Sequence, residues 1–421
     1  MSRSPLNLPR LAWRYLWARP MLTALNLMLL SLGLAAIGFV VLVSEQLEHG
    51  LKRDLAGIDL VVGAKGSPMQ ILLAGVFHLD QSTGNIPLAT VRQLRQQPLV
   101  AQAVPISLGD SYRGHRIVGT TADYLALYRL ELAQGQGWTK PMQAVLGAEV
   151  ARQAGLKPGD HFHGTHGLAS GGDEHEHAYE VTGVLAPTGG VADRLVLTDL
   201  ASVWEAHAAH GHGASDRQSD HEGHGDHAEH DAHEHQDDAG LEVSMVLVRY
   251  RSPLAAVMLP RWVNAQPGLQ ASVPALETAR LLSMVGVGVE VLRGFGLVLL
   301  LAAALSVLVA LLHAVRERQG DLAMLRMLGA TPARVAGLIA LEAVMLAALA
   351  TVLALGLAHA LTGGLGAVLD AQQSMRISGS WLSVWELLVP ALALGLALLA
   401  AAWPAWRGYR LDVTELLQTP R

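Results

Sequence analysis

Histidine and carboxylate crowd the stretch of this chain with the clearest chemical potential. Nine histidines fall in one short segment: His207, His210, His212, His221, His224, His227, His230, His233 and His235. From His221 to His233 they recur every third residue among Asp226, Glu229, Asp231 and Glu234. Neutral imidazole is a common ligand for zinc, copper and nickel, and carboxylates can complete the shell. A second group, His161, His163, His166, His175 and His177 with Asp173 and Glu174, flanks Gly171-Gly172 and is expected at a hairpin tip. With no cysteine in the chain, any metal must be held by imidazole and carboxylate, and Zn2+ at these loops is the expectation. The same composition describes a solvated low-complexity loop that cannot bury a core, and the two readings are compatible. His49, His78, His115, His313 and His359 stand alone and read as surface or interfacial histidines.

Other chemistry is missing. No G-x-x-x-x-G-K-[ST] phosphate loop occurs, since Gly63-Ala64-Lys65-Gly66-Ser67 lacks the spacing. There is no G-x-S-x-G elbow and no H-E-x-x-H pair. The chain is therefore expected to be non-catalytic, to bind no cofactor beyond zinc, and to leave ATP to a separate subunit. Its uneven charge speaks of membrane topology and metals more than of nucleic acid.

The elements that position these residues follow from the apolar runs. At 421 residues, 51% hydrophobic, the chain exceeds one ordinary domain and is too apolar for a plain cytosolic enzyme. Residues 1–20 hold Arg3, Arg10, Arg14 and Arg19 and no acid, with Trp and Tyr between them, as an amphipathic helix on the inner leaflet would. Residues 21–43 form a first span, uncleaved. Residues 44–285 form a mixed α/β domain beyond the membrane, carrying the disordered His-rich insert 207–238. Three spans follow, 286–315, 335–358 and 384–406, separated by an inner loop 316–334 and an outer loop 359–383. The tail 407–421 and both termini fall on the cytoplasmic side, in agreement with Arg316, Arg318, Arg326, Arg334, Arg407 and Arg410.

The inner loop has the pattern of a helix, an elbow and a helix. Gly329 can close the first helix, while Thr331 caps the next with Pro332 in its first turn. Glu342 lies inside the third apolar run, where an ionised group is costly. It could reach the interface or pair with an arginine of the loop.

The residues Arg316-Glu317-Arg318, then Leu325-Arg326-Met327-Leu328-Gly329-Ala330-Thr331, then Glu342, resemble the FtsX-like permeases, the group that includes MacB and the lipoprotein-extracting LolC and LolE. Residues 57–87 are similar to one MacB-like subgroup, 144–162 and 179–206 to the periplasmic domain of the family, and 403–418 to its closing pattern. The resemblance implies four transmembrane helices with a large mixed α/β periplasmic domain between the first two. It implies that Arg316, Glu317, Arg318, Leu325, Arg326, Leu328, Gly329 and Thr331, backed by Glu342, dock a cytoplasmic ABC ATPase dimer that binds ATP. It implies a homodimer, or a heterodimer with a related permease, in a bacterial inner membrane, with a periplasmic or outer-membrane partner. Mechanotransmission for efflux or lipoprotein extraction, linked to zinc, is the expected function. A regulatory module that activates a periplasmic partner, and a metal-binding sensor with no ATPase, are the alternatives.

Overall fold

The computed structural model of the chain describes residues 8–167, 174–211, 240–371 and 377–410. In chain order the elements are α1 (Leu8–Leu16), α2 (Pro20–Asp54), β1 (Leu60–Ala64), α3 (Pro68–Gly75), β2 (Ile86–Pro87), α4 (Ala89–Gln96), β3 (Val100–Tyr112), β4 (His115–Thr120), α5 (Asp123–Leu127) and β5 (Leu132–Gly135). There follow β6 (Gln143–Leu146), α6 (Ala148–Ala154), β7 (His161–His166), β8 (Glu174–Leu185), β9 (Val196–Asp199), α7 (Leu200–Gly211), β10 (Glu242–Val243), β11 (Met245–Tyr250), α8 (Ala255–Ala265) and β12 (Leu269–Ser272). The chain closes with α9 (Pro274–Glu317), α10 (Gln319–Met327), α11 (Pro332–Ala371) and α12 (Leu388–Tyr409). It divides into two compact units, one of Met1–Glu48 with Ser283–Arg421 and one of His49–Leu282.

The first unit is helical. Among the described residues four helices are long and apolar enough to cross a membrane: Pro20–Asp54, Pro274–Glu317, Pro332–Leu369 and Val384–Tyr409. Small side chains fill their interior, with Ala35, Ala303, Ala350, Ala354, Ala393 and Ala401 all buried. Lipid tails are as apolar as leucine, so spans associate through close packing, which small residues permit. Gly33 shows how close: a Cβ there would lie 3.0 Å from Leu300 Cδ2. Within this packing Ser306 donates to Asn26 Oδ1 at 2.6 Å, joining α9 to α2. Helix α1 is amphipathic, burying Ala12 and Leu16 and exposing Trp13, with Trp17 exposed just beyond its end.

Three helices extend beyond the spans expected of them. The helix that carries the first expected span, residues 21–43, runs on through Ser44–Asp54 without a break. Charge ends an apolar run; it does not end a helix. The helix that carries the second expected span, residues 286–315, begins at Pro274, with Pro274 and Glu277 in its first turn. The expected outer loop from 359 is helical through Ala371, and only 377–383 of its described residues lie outside regular helix.

The second unit is mixed α/β. Its ten-stranded sheet has the order β12-β1-β11-β3-β4-β9-β6-β8-β5, with β7 pairing β3 and β8. Most pairs are antiparallel, but β4 with β9 and β6 with β8 are parallel. Two cores result. One gathers Leu60, Val62, Leu94, Val246, Val248 and Leu259, and the other Ile117, Leu146, Phe162, Tyr179 and Val196. Helix α6 ends at Gly155 with φ +71°, as its sequence predicts. Strands β10 and β11 are separated at Ser244, whose hydroxyl accepts the Leu108 amide at 3.0 Å.

Candidate coupling site

The α10–α11 elbow is built by its own backbone. Arg318 leaves helical geometry between α9 and α10, with φ −96° and ψ 13°. At the other end of α10 the amides of Gly329 and Ala330 return to the carbonyls of Arg326 and Leu325 at 3.0 and 2.9 Å. Gly329 makes that closure with φ +95°, a conformation that favours glycine. Thr331 Oγ1 then accepts the Arg334 amide at 3.3 Å, and Pro332 opens α11. Gly329 and Thr331 thus do locally what their types and positions predict.

Arg318 is the centre of the arrangement. Its Nη1 lies 3.0 Å from Glu342 Oε1, one helical segment away, and its Nη2 donates to the Tyr15 carbonyl at 2.8 Å. The guanidinium carbon also stands 4.2 Å from the Tyr15 ring centroid. One side chain therefore joins α1, the start of α10 and α11. Arg19 and Glu317 form a second ion pair nearby. A cavity of about 50 Å³ lies beside these groups, lined by Tyr15, Arg19, Thr23, Asn26, Arg318 and Glu342 among apolar neighbours. Burial first, and the Asp321 carboxylate next, push the Tyr15 phenol up, with Arg318 opposing.

The outer face of the elbow is apolar and uncovered among the described residues. Met324, Met327 and Leu328 are 55%, 57% and 81% exposed. Arg316, Glu317, Gly329 and Thr331 are exposed as well, and Arg326 is half-buried. Leu325 is different: it packs against the helical core, so its part is to seat α10. Met324 and Met327, which flank it, were not among the expected site residues.

The histidines expected to hold metal divide in two. His212, His221, His224, His227, His230, His233 and His235 lie outside the described residues, as do Gly171 and Gly172. His207 and His210 lie on α7. His161, His163 and His166 stand on β7, and His175 and His177 on β8, its antiparallel partner. Phe162 pairs with Tyr179 and faces the core, leaving His161 and His163 exposed. His166 Nδ1 approaches buried Asp110 Oδ1 at 3.2 Å. Among the described residues no three of these groups assemble into a metal-holding cluster.

Two of the lone histidines are core residues rather than surface ones. His78 and His115 are both buried. His78 has φ +54°, and neither of its ring nitrogens has a hydrogen-bond partner among the described residues. Burial, then the charges of Arg116 and Arg194, pushes its imidazole down to about 3. Arg116 Nε donates to its carbonyl at 2.9 Å, which anchors the turn before Asp80. His115 is held down by burial, and its Nε2 lies 3.1 Å from Gln153 Oε1.

Comparison with known proteins places these units. Residues 23–253, more than half of the chain, match the MacB-like periplasmic core domain, and residues 293–413 match the FtsX-like permease C-terminal. No curated protein matches in sequence. Among solved structures, the periplasmic region of MacB from Actinobacillus actinomycetemcomitans shares 11% identity at TM-score 0.34, over 55% of this chain and 95% of that one. The extracellular domain of the noncanonic ABC-type transporter YknZ from Gram-positive bacteria shares 13% at TM-score 0.30, over 51% and 98%. At those scores the structural likeness decides nothing by itself, and the two domain matches carry the assignment. A mixed α/β periplasmic core after the first apolar helix, followed by an FtsX-like C-terminal region, makes this chain a member of the FtsX/MacB-like ABC transporter permeases.

Proposed function

We propose that the chain is a non-catalytic permease subunit of an inner-membrane complex that works by mechanotransmission. Family membership implies a cytoplasmic ATPase partner. In this proposal two copies, or one copy and a related permease, each seat an ATPase subunit on the α10–α11 elbow. Nucleotide-driven movement there is passed along α9 and α11 to the periplasmic domain, which handles a lipoprotein, another hydrophobic cargo or an effluxed molecule. The observation that carries the proposal is the exposed patch of Met324, Met327 and Leu328 on an elbow braced by Arg318 and Glu342. An apolar patch on a rigid support favours a protein partner. Helices α2 and α9, of 35 and 44 residues, exceed the roughly 20 residues a bilayer needs and suit the transmission of force. Cytoplasmic placement of the elbow and both termini follows from the arginines around them.

A zinc link stays part of the proposal, because His161 and His163 stand exposed on one strand with Glu180 opposite His161. In the alternative of a regulatory module like FtsX, the same elbow would drive a periplasmic partner with no cargo moved. The test is copurification of the full chain with the ATPase encoded beside it, followed by ATP hydrolysis with and without zinc. Retention of the ATPase, and its loss when Arg326 and Leu328 are both replaced, is the expected result. Undiminished retention by the double variant would remove the docking assignment.

A further inference from the structure

We infer that His359 and Glu386 form a proton-binding site at the end of the helical unit remote from the elbow. Helix α11 carries His359 seventeen residues beyond Glu342, about 25 Å along the axis. Each ring nitrogen there faces an acceptor. Nδ1 lies 2.7 Å from the Gly379 carbonyl oxygen, and Nε2 lies 3.2 Å from Glu386 Oε2.

A neutral imidazole has one N–H and one lone pair, so it can donate to only one of these oxygens. With an ionised Glu386, either tautomer sets a nitrogen lone pair against an oxygen lone pair. One added proton resolves the conflict. Carried by the ring, it makes an imidazolium that donates both ways; carried by the carboxyl, it is donated from Glu386 to Nε2. In both cases it sits between Nε2 and Oε2, and the pair holds it as a unit.

The surroundings keep both acceptors in place. The Gly379 carbonyl reaches the ring because its residue has no side chain: a Cβ there would lie 2.6 Å from the His359 carbonyl oxygen and 2.9 Å from Gly363. Gln46 holds the preceding residue from α2, donating to the Ser378 carbonyl at 3.1 Å and accepting its amide at 2.8 Å. The other carboxyl oxygen of Glu386 accepts the Ser383 amide at 2.9 Å. The two side chains are only 23% and 12% exposed, so water compensates an unmet contact poorly. Helix α11 has no other titratable residue between Glu342 and Asp370, and neither 377–383 nor 387–406 contains one; α2 carries Glu45, Glu48 and His49 beside Gln46. The proton thus clasps residues 377–386 to α11, and its loss breaks one of the two bonds.

Because the chain has no cysteine, a spin label on Leu382→Cys, an 81% exposed position, reports the clasp in the full chain in lipid nanodiscs. The mobile fraction of the spectrum is expected to rise at least about twofold from about pH 5 to about pH 9. Glu386→Gln should abolish that rise, because its amide donates to neutral His359 while its oxygen still accepts from Ser383. His359→Gln should leave the label mobile throughout. A label unresponsive to pH in the otherwise native chain, or an equal rise in Glu386→Gln, overturns the inference.

Discussion

Arg318 and Glu342, 24 positions apart in sequence, meet at 3.0 Å and fasten the start of α10 to the interior of α11. The pair lies largely out of water, with side chains 16% and 9% exposed, and the Tyr15 carbonyl takes up the remaining donor. Removing one partner of such a pair strands the other, which costs more than the pair itself contributes. Glu342→Ala is expected to destabilise the helical unit by about 2–4 kcal/mol, and Glu342→Gln, which keeps an acceptor, by less. Arg318→Lys should resemble Glu342→Ala, since an ammonium cannot serve Glu342, the Tyr15 carbonyl and the ring together. Thermal unfolding in detergent checks all three.

Leu325 and Leu328 separate seating from the proposed docking. Leu325 packs on the core and Leu328 is 81% exposed. Leu325→Ala should cost about 1–3 kcal/mol of stability. Leu328→Asp should change stability by no more than about 0.5 kcal/mol while releasing the ATPase. Paired melting and pull-down measurements distinguish the two, and equal melting shifts would contradict the division.

His78 gives the periplasmic domain an acid limit. Its folded imidazole is pushed down to about 3, below the unfolded value near 6.5. Between those values the unfolded chain takes up a proton that the native chain refuses, so stability is present above about pH 6.5 and is lost as pH falls. The loss is on the order of 4 kcal/mol by about pH 3. His78→Asn, which tolerates the same backbone conformation, should remove about one proton from the pH slope. Hydrogen exchange of β4, corrected for intrinsic rates, reads it out between about pH 7 and about pH 4.

The zinc link stands or falls on direct titration. The full chain is expected to bind zinc more tightly than about millimolar, and to lose that binding when the nine histidines from His207 to His235 are replaced by serine. Binding no tighter than millimolar in the native chain removes zinc from the proposal.

The elbow was legible residue by residue, because glycine closure and threonine capping act over four or five positions. Spans were legible in number for the same reason: an apolar run is a local property. The helices that carry them are longer than those runs, since residues 44–54 and 274–285 remain helical as well. His78, His115 and His359 escaped detection because their partners Arg116, Gln153, Gly379 and Glu386 are brought to them by tertiary packing. No spacing in the sequence encodes those meetings. Met324 and Met327 carry no charge signal in the sequence, and their exposure is set by tertiary packing.

In the proposed mechanism force enters at the elbow and leaves at the periplasmic domain. A spin label at Lys157→Cys, on an exposed turn of that domain, measures it in the complex with the ATPase, as the distance between the two copies. The distance distribution should shift between the nucleotide-free and ATP-trapped states, and Leu328→Asp should abolish the shift. An unchanged distribution in the native complex, with ATP demonstrably hydrolysed, would contradict mechanotransmission.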